Sequence, residues 1–155
     1  MVAASVVKNN IIKDNTIVKA GGVGIAISSP NRRLGTSVNN QILDNTIIAS
    51  GREGVSVRGK RNVVQGNTIN KSGVSGFGGS GIKVDSTFIS NEDVIIKGNS
   101  ITNSKGAGIE ITVGSSSTVS KNIVVIGNTF AGNTNGTIDD NGIDTVFAGN
   151  VPPLM

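Results

Sequence analysis

The apolar positions of this chain fall in short alternating runs rather than helical stripes. Ile25-Ala26-Ile27, Val55-Ser56-Val57, Ile82-Lys83-Val84 and Ile109-Glu110-Ile111 each place two β-branched residues around a third, the period-2 mark of a strand. No run keeps a 3.6-residue period long enough for a helix. Gly, Asn and Ser separate the runs, so the pattern predicts many short strands joined by tight turns.

A longer regularity overlies the short one. The phrase DNTI at Asp14–Ile17 returns at Asp44–Ile47, then as GNTI at Gly66–Ile69, GNSI at Gly98–Ile101 and GNTF at Gly127–Phe130. Three positions before each central Asn stands Ile12, Ile42, Val64, Ile96 or Val125, and two positions after it Ile17, Ile47, Ile69, Ile101 or Phe130. Glycine plus a β-branched residue follows each time, at Gly24-Ile25, Gly54-Val55, Gly81-Ile82, Gly108-Ile109 and Gly142-Ile143. Repeats at spacings between 22 and 32 residues mean a solenoid. Short strands that return to one place at such intervals must stack in parallel, about 4.8 Å apart, so the chain coils as a β-helix of about five rungs. In that coil Asn15, Asn45, Asn67, Asn99 and Asn128 form a ladder at one corner. Each amide bonds the next rung and the backbone groups of the turn, while the flanking aliphatic residues point inward.

Composition agrees. The 155 residues suffice for one domain, residues 1–155, and include 22 glycines and four phenylalanines but no Trp, Tyr, His or Cys. A core must then come from Ile and Val, which suit strands. Without cysteine there are no disulfides and no thiolate metal sites. Five rungs make a coil about 24 Å tall whose ends expose unpaired strand edges. The expectation is a segment of a larger protein, or a homo-oligomer, with flanking residues or a second copy covering the ends. Residues 151–155 read as a terminating tail, because Pro152-Pro153 cannot extend a ladder.

The net charge of +4 is modest, and its clusters, Arg32-Arg33 and Arg58, Lys60, Arg61, lack a neighbouring aromatic to stack a base, so nucleic acid is not expected. No apolar run approaches the ~18 residues of a membrane span, and the opening MVAASVV is too short for a secretory signal.

Chemistry is expected where the longer repeats bulge, at Ser28–Ser37, Ser72–Ser80, Asp85–Asp93, Thr112–Lys121 and Asn133–Asn141. These loops border the Gly-Ile strands and would wall a groove along that sheet. If Ile25, Val55, Ile82, Ile109 and Ile143 point in, the floor is Ala26, Ser56, Lys83, Glu110 and Asp144. Two residues further on come Ser28, Arg58, Asp85, Thr112 and Val146. Lys83 should stand beside Glu110 and Arg58 beside Asp85, either as a working site or as an ion-pair ladder that keeps the face soluble. Phe77, within Gly76-Phe77-Gly78-Gly79, is either a stacking platform for a sugar ring or a buried residue. Asp139-Asp140-Asn141 suits a turn or a calcium ligand set. The column Thr16, Thr46, Thr68, Ser100, Thr129 reads as β propensity rather than an ice-binding array.

The Ile-x-x-Asn-x-Ile and Gly-Ile-x-Ile phrases resemble the right-handed parallel β-helix repeats of the pectate-lyase-like superfamily, over about Val6 to Asn150. That superfamily includes polysaccharide lyases, mannuronan epimerases, periplasmic NosD-like proteins and phage tailspikes. The resemblance implies an extracellular or virion-associated module that recognises or processes polysaccharide, with a non-catalytic stalk or assembly module as the alternative. Mannuronan epimerases carry an Asp-Pro-His phrase on this sheet and polygalacturonases a Gly-His-Gly phrase. Both are absent, which excludes a His or Tyr acid or base within these residues. What the resemblance leaves open is a lyase with Lys83 as base and Arg58 as acid. Asp85 and Glu110 would then hold a calcium ion against an acidic polysaccharide, with Ser56, Asp144 and Phe77 as further substrate contacts.

Overall fold

The computed structural model describes residues 7–28, 37–114 and 117–152, and every strand pairing among them is parallel. Three sheets form the walls of the coil. The first stacks Ile11–Lys13, Gln41–Leu43, Val63–Gln65, Ile95–Lys97, Val124–Ile126 and Val146–Ala148. The second stacks Thr16–Val18, Thr46–Ile48, Thr68–Asn70, Ser100–Thr102 and Thr129–Ala131, and the third Ile25–Ile27, Val55–Val57, Ile82–Val84, Ile109–Ile111 and Ile138–Asp140. Asn91–Glu92 and Ser120–Lys121 add one narrow pairing before the first sheet. There Glu92 lies 2.7 Å from Lys60 and 2.9 Å from Lys121. Hydrogen bonds from the two ammonium groups lower its carboxyl to about 2.

Alternation decides what fills the interior. In the first two sheets the middle residue of each strand points in, which stacks Ile42, Val64, Ile96 and Val125 in one column and Ile47, Ile69, Ile101 and Phe130 in another. The third sheet is inverted. Its flanking residues, such as Val55 with Val57 and Ile109 with Ile111, are buried, and the middle residue faces out. All of these columns meet in one aliphatic core.

The corners explain the repeated phrase. The residue before each ladder Asn is left-handed, with φ of 57° at Asp14, 53° at Asp44, 69° at Gly66, 61° at Gly98 and 64° at Gly127. Glycine takes that conformation freely and Asp tolerates it, hence DN or GN at each copy. The turn aims the next side chain inward, and Asn is held there on three sides. Asn67 Nδ2 donates to Ile42 O of the preceding rung, to Gln65 O of its own rung and to Asn99 Oδ1 of the following one, each at 3.0 Å. Its Oδ1 accepts from Asn45 N at 2.9 Å and Asn45 Nδ2 at 3.0 Å. The expected ladder is therefore present, and it is longer than the five expected members: Asn128 N donates to Asn150 Oδ1 at 3.0 Å. Asn150 and Val151, which bridges to Thr129, carry the coil into a sixth rung, so Val151 belongs to the ladder and not to a tail.

Left-handed residues also mark the two other corners of each rung, among them Asn9, Asn39 and Arg61, and Lys19, Ala49 and Lys71. Asn10, Asn40 and Asn62 form a second, shorter ladder, with Asn40 Nδ2 donating to Asn62 Oδ1 at 3.0 Å. Ala49, at φ 58°, has neither glycine's freedom nor a polar side chain to bond the turn. Ala49→Gly should raise stability by about 0.5–1 kcal/mol, less than the full left-handed cost because glycine also loosens the unfolded chain. A urea melt in which the midpoint falls would refute this.

The last rung corrects one expected register. Ile138, not Ile143, stacks on Ile109, so Asp139 follows Glu110 and Asp140 follows Ile111. The cause lies in what the glycines do. A Cβ at Gly54 would stand 2.7 Å from Gly81 O, and one at Gly108 only 2.6 Å from Thr137 O, because the next rung presses on that side. Thr137 occupies the same place in the last described strand of this sheet, where no further strand of the described residues lies above it, and needs no glycine. Gly142-Ile143 is a look-alike: Ile143 bridges Lys121 near the first sheet.

Candidate functional site

The outward row of the third sheet is Ala26, Ser56, Lys83, Glu110 and Asp139. Arg58 and Asp85 continue the register one residue beyond the strands, with Arg58 N donating to Ile27 O at 2.9 Å and Asp85 N to Val57 O at 3.0 Å. Two hollows of about 340 and 330 Å³ lie on this row and share Arg52, Glu53 and Lys83, which makes them one shallow groove. Phe77 and Ser80 border the first, and Ser56, Thr87 and Phe88 the second.

Both expected charge pairs form. Lys83 Nζ lies 2.7 Å from Glu110 Oε1, and Glu110 Oε2 accepts from Ser80 Oγ at 2.8 Å. Arg58 grips Asp85 Oδ2 with both Nε and Nη2, while Asp85 Oδ1 accepts from Thr87 N at 2.9 Å and from the Thr87 hydroxyl. Burial pushes the Asp85 carboxyl up, but the hydrogen bonds from Thr87 and Arg58 together outweigh it and leave the group below its ordinary value. The Arg58 guanidinium also lies 5.8 Å from the centroid of the Phe88 ring.

Each pairing limits the chemistry. Lys83 Nζ, the expected base, is engaged by Glu110 Oε1 in this arrangement. The two expected calcium ligands are engaged as well. Asp85 accepts from Arg58 and Thr87, Glu110 accepts from Lys83 and Ser80, and the described residues contain no group of three or more potential metal-ligating side chains.

Two expected positions move. Asp144 is off the groove: it is left-handed, at φ 54°, at the corner that leads into the first sheet. Val146 lies in the first sheet, paired with Val124. Asp139 takes the floor position, and Asp140 closes the turn behind it by accepting from Gly142 N at 2.8 Å. Thr112 also serves a turn, accepting from Ser86 N at 3.0 Å. Phe77 is 88% exposed, which overturns the buried one of its two expected alternatives. The Thr16-to-Thr129 column faces outward from the second sheet, as β propensity requires. Most of the loop Ser28–Ser37, with Arg32 and Arg33, lies outside the described residues.

Glu53 is the groove residue that alternation missed. It sits in the arc before the strand, in the column Val23, Glu53, Ser80, Ala107, Gly136, where every other member is small or apolar. One charged residue in such a column is the signal that could have found it. Its side chain is only 10% exposed, and its cationic neighbour is Arg52 at 3.7 Å.

No curated protein and no solved structure matches the chain. The model of the right-handed β-helix region matches residues 5–151. With the parallel coil, its Asn ladder and that match in hand, the chain belongs to the right-handed β-helix family.

Proposed function

We propose that the third sheet is a carbohydrate-recognition face that binds a polysaccharide segment along the groove without cleaving it. Phe77 carries the proposal: an aromatic ring almost wholly in solvent, at the rim of a hollow floored by polar side chains. Exposing such a ring forfeits its burial, which a ligand with an apolar face restores. The groove is long, shallow and polar, the form that suits an extended sugar chain better than a compact small molecule. The resemblance to polysaccharide-working β-helices and tailspikes adds support. Pairing of both floor cations favours binding over elimination.

Calorimetry against oligosaccharides of varied charge tests the proposal, with absorbance of unsaturated product followed in parallel. Phe77→Ala should weaken the bound sugar about tenfold, equivalent to about 1.4 kcal/mol, without lowering the melting temperature. Product formation that disappears in Lys83→Ala would instead establish a lyase. No heat and no product with any sugar would leave a structural stalk.

A further inference from the structure

We infer that the sugar seated in this groove is non-anionic, a neutral or amino-bearing hexose whose donors meet the Glu53 carboxylate. The inference rests on the carbohydrate proposal and specifies its ligand.

Glu53 lines both hollows and stands where they join. No hydrogen bond reaches its carboxylate among the described residues, and the Arg52 Nε that neighbours it at 3.7 Å is beyond hydrogen-bond distance. Arg52 itself is 61% exposed and turned to solvent. An ionised carboxylate can accept about four hydrogen bonds, so Glu53 keeps an acceptor set open toward the groove. Vicinal hydroxyls of a hexose, or the ammonium of an amino sugar, supply donors of that kind.

The rest of the floor points the same way. Two of the three lining cations are engaged, Lys83 by Glu110 and Arg58 by Asp85, and the third, Arg52, stands at the Glu53 carboxylate. Asp139 adds a carboxylate in register with Glu110, and its hydrogen bond comes from the neutral Asn141 amide at 3.2 Å. Among the described lining residues, Arg52, Arg58 and Lys83 face Glu53, Asp85, Glu110 and Asp139, three cations against four carboxylates, although the whole chain carries +4. An acidic sugar would meet an excess of like charge, with Lys83 and Arg58 already taken. Phe77 favours the same ligands, since its face accepts either the C–H side of a neutral ring or an ammonium group. This departs from the acidic polysaccharide expected from the sequence.

The test titrates the full chain with three oligosaccharide sets of matched length: neutral glucans and mannans, partly deacetylated chitosan, and alginate with pectate. The neutral or the chitosan set should bind at least tenfold more tightly than the uronates. Glu53→Gln should weaken that binding about tenfold while the melting temperature holds. Should Glu53→Gln fail to fold, Asp139→Asn on the exposed floor should reduce chitosan affinity severalfold. Salt separates the two sources, because chitosan binding falls as ionic strength rises and neutral binding does not. Uronates binding equally well or better, in a Lys83-dependent way, would overturn the inference and leave the carbohydrate proposal standing. Failure of all three sets, with the fold intact, would overturn both.

Discussion

Asn67→Leu is expected to lower the melting temperature by roughly 10 °C or more, the largest loss from any single side-chain exchange at the ladder corner. The side chain is fully buried at the middle of the stack. Leucine would leave Asn45 N without its acceptor and would take one donor each from Ile42 O and from Gln65 O, which keeps the bond from Asp44 N at 3.0 Å. At about 1–3 kcal/mol for the buried donor left unpaired and about 1 kcal/mol for each of the other bonds lost, the sum is on the order of 4 kcal/mol. For a chain of this length each kcal/mol shifts the midpoint by roughly 2–4 °C. Asn15→Leu is the control. Asn15 is exposed in the first described rung and donates to Lys13 O and Asn45 Oδ1, so its loss should cost about 1 kcal/mol. Equal melting points for the two variants would show that the ladder does not hold the coil together.

Gly81→Ala should be nearly as damaging, for a steric reason. An added Cβ would stand 2.1 Å from Ile101 Cγ2 and 2.7 Å from Gly108 O. Neither neighbour can give way: Ile101 is packed on all sides in the core, and Gly108 O accepts from Ile82 N at 2.9 Å in the ladder. Overpacking of this kind costs about 1–3 kcal/mol, and the rigid backbone on one side puts the expectation at the upper end. The converse exchange, Thr137→Gly, should change the melting temperature by only a degree or two, because the last strand of that sheet has room for a side chain. A Gly81→Ala variant that melts with the parent would mean that neighbouring rungs can part at this edge.

How much of this was legible in the sequence depends on which force acts at each position. The Asn corner was legible because the left-handed turn and the stacked amide repeat in every rung, so DN or GN recurs whatever the loops do. Lys83 with Glu110 and Arg58 with Asp85 were legible for the same reason, as strict alternation sets them one rung apart. The last rung was misread because its glycine answers to a neighbour above it. With no further strand there, Thr137 replaced the marker while Gly142-Ile143 imitated it. Exposure of Phe77 was not legible either, since the loop that carries it repeats nowhere else in the chain. Glu53 lies on an arc between sheets, where two-residue alternation does not apply.

The circuits have a further consequence. Asn45 to Asn67 and Asn128 to Asn150 each take 22 residues, whereas Asn67 to Asn99 takes 32. The surplus falls beside the third sheet, at the Phe77 and Phe88 loops, and the ladders and the core are unchanged by it. Closing a longer flexible loop costs only about 0.6 kcal/mol per doubling of its length. Specificity in this coil can therefore drift independently of foldedness: whole wall segments can be exchanged, lengthened or deleted at little thermodynamic cost, whereas a single atom added at the glycine column is resisted by the entire stack.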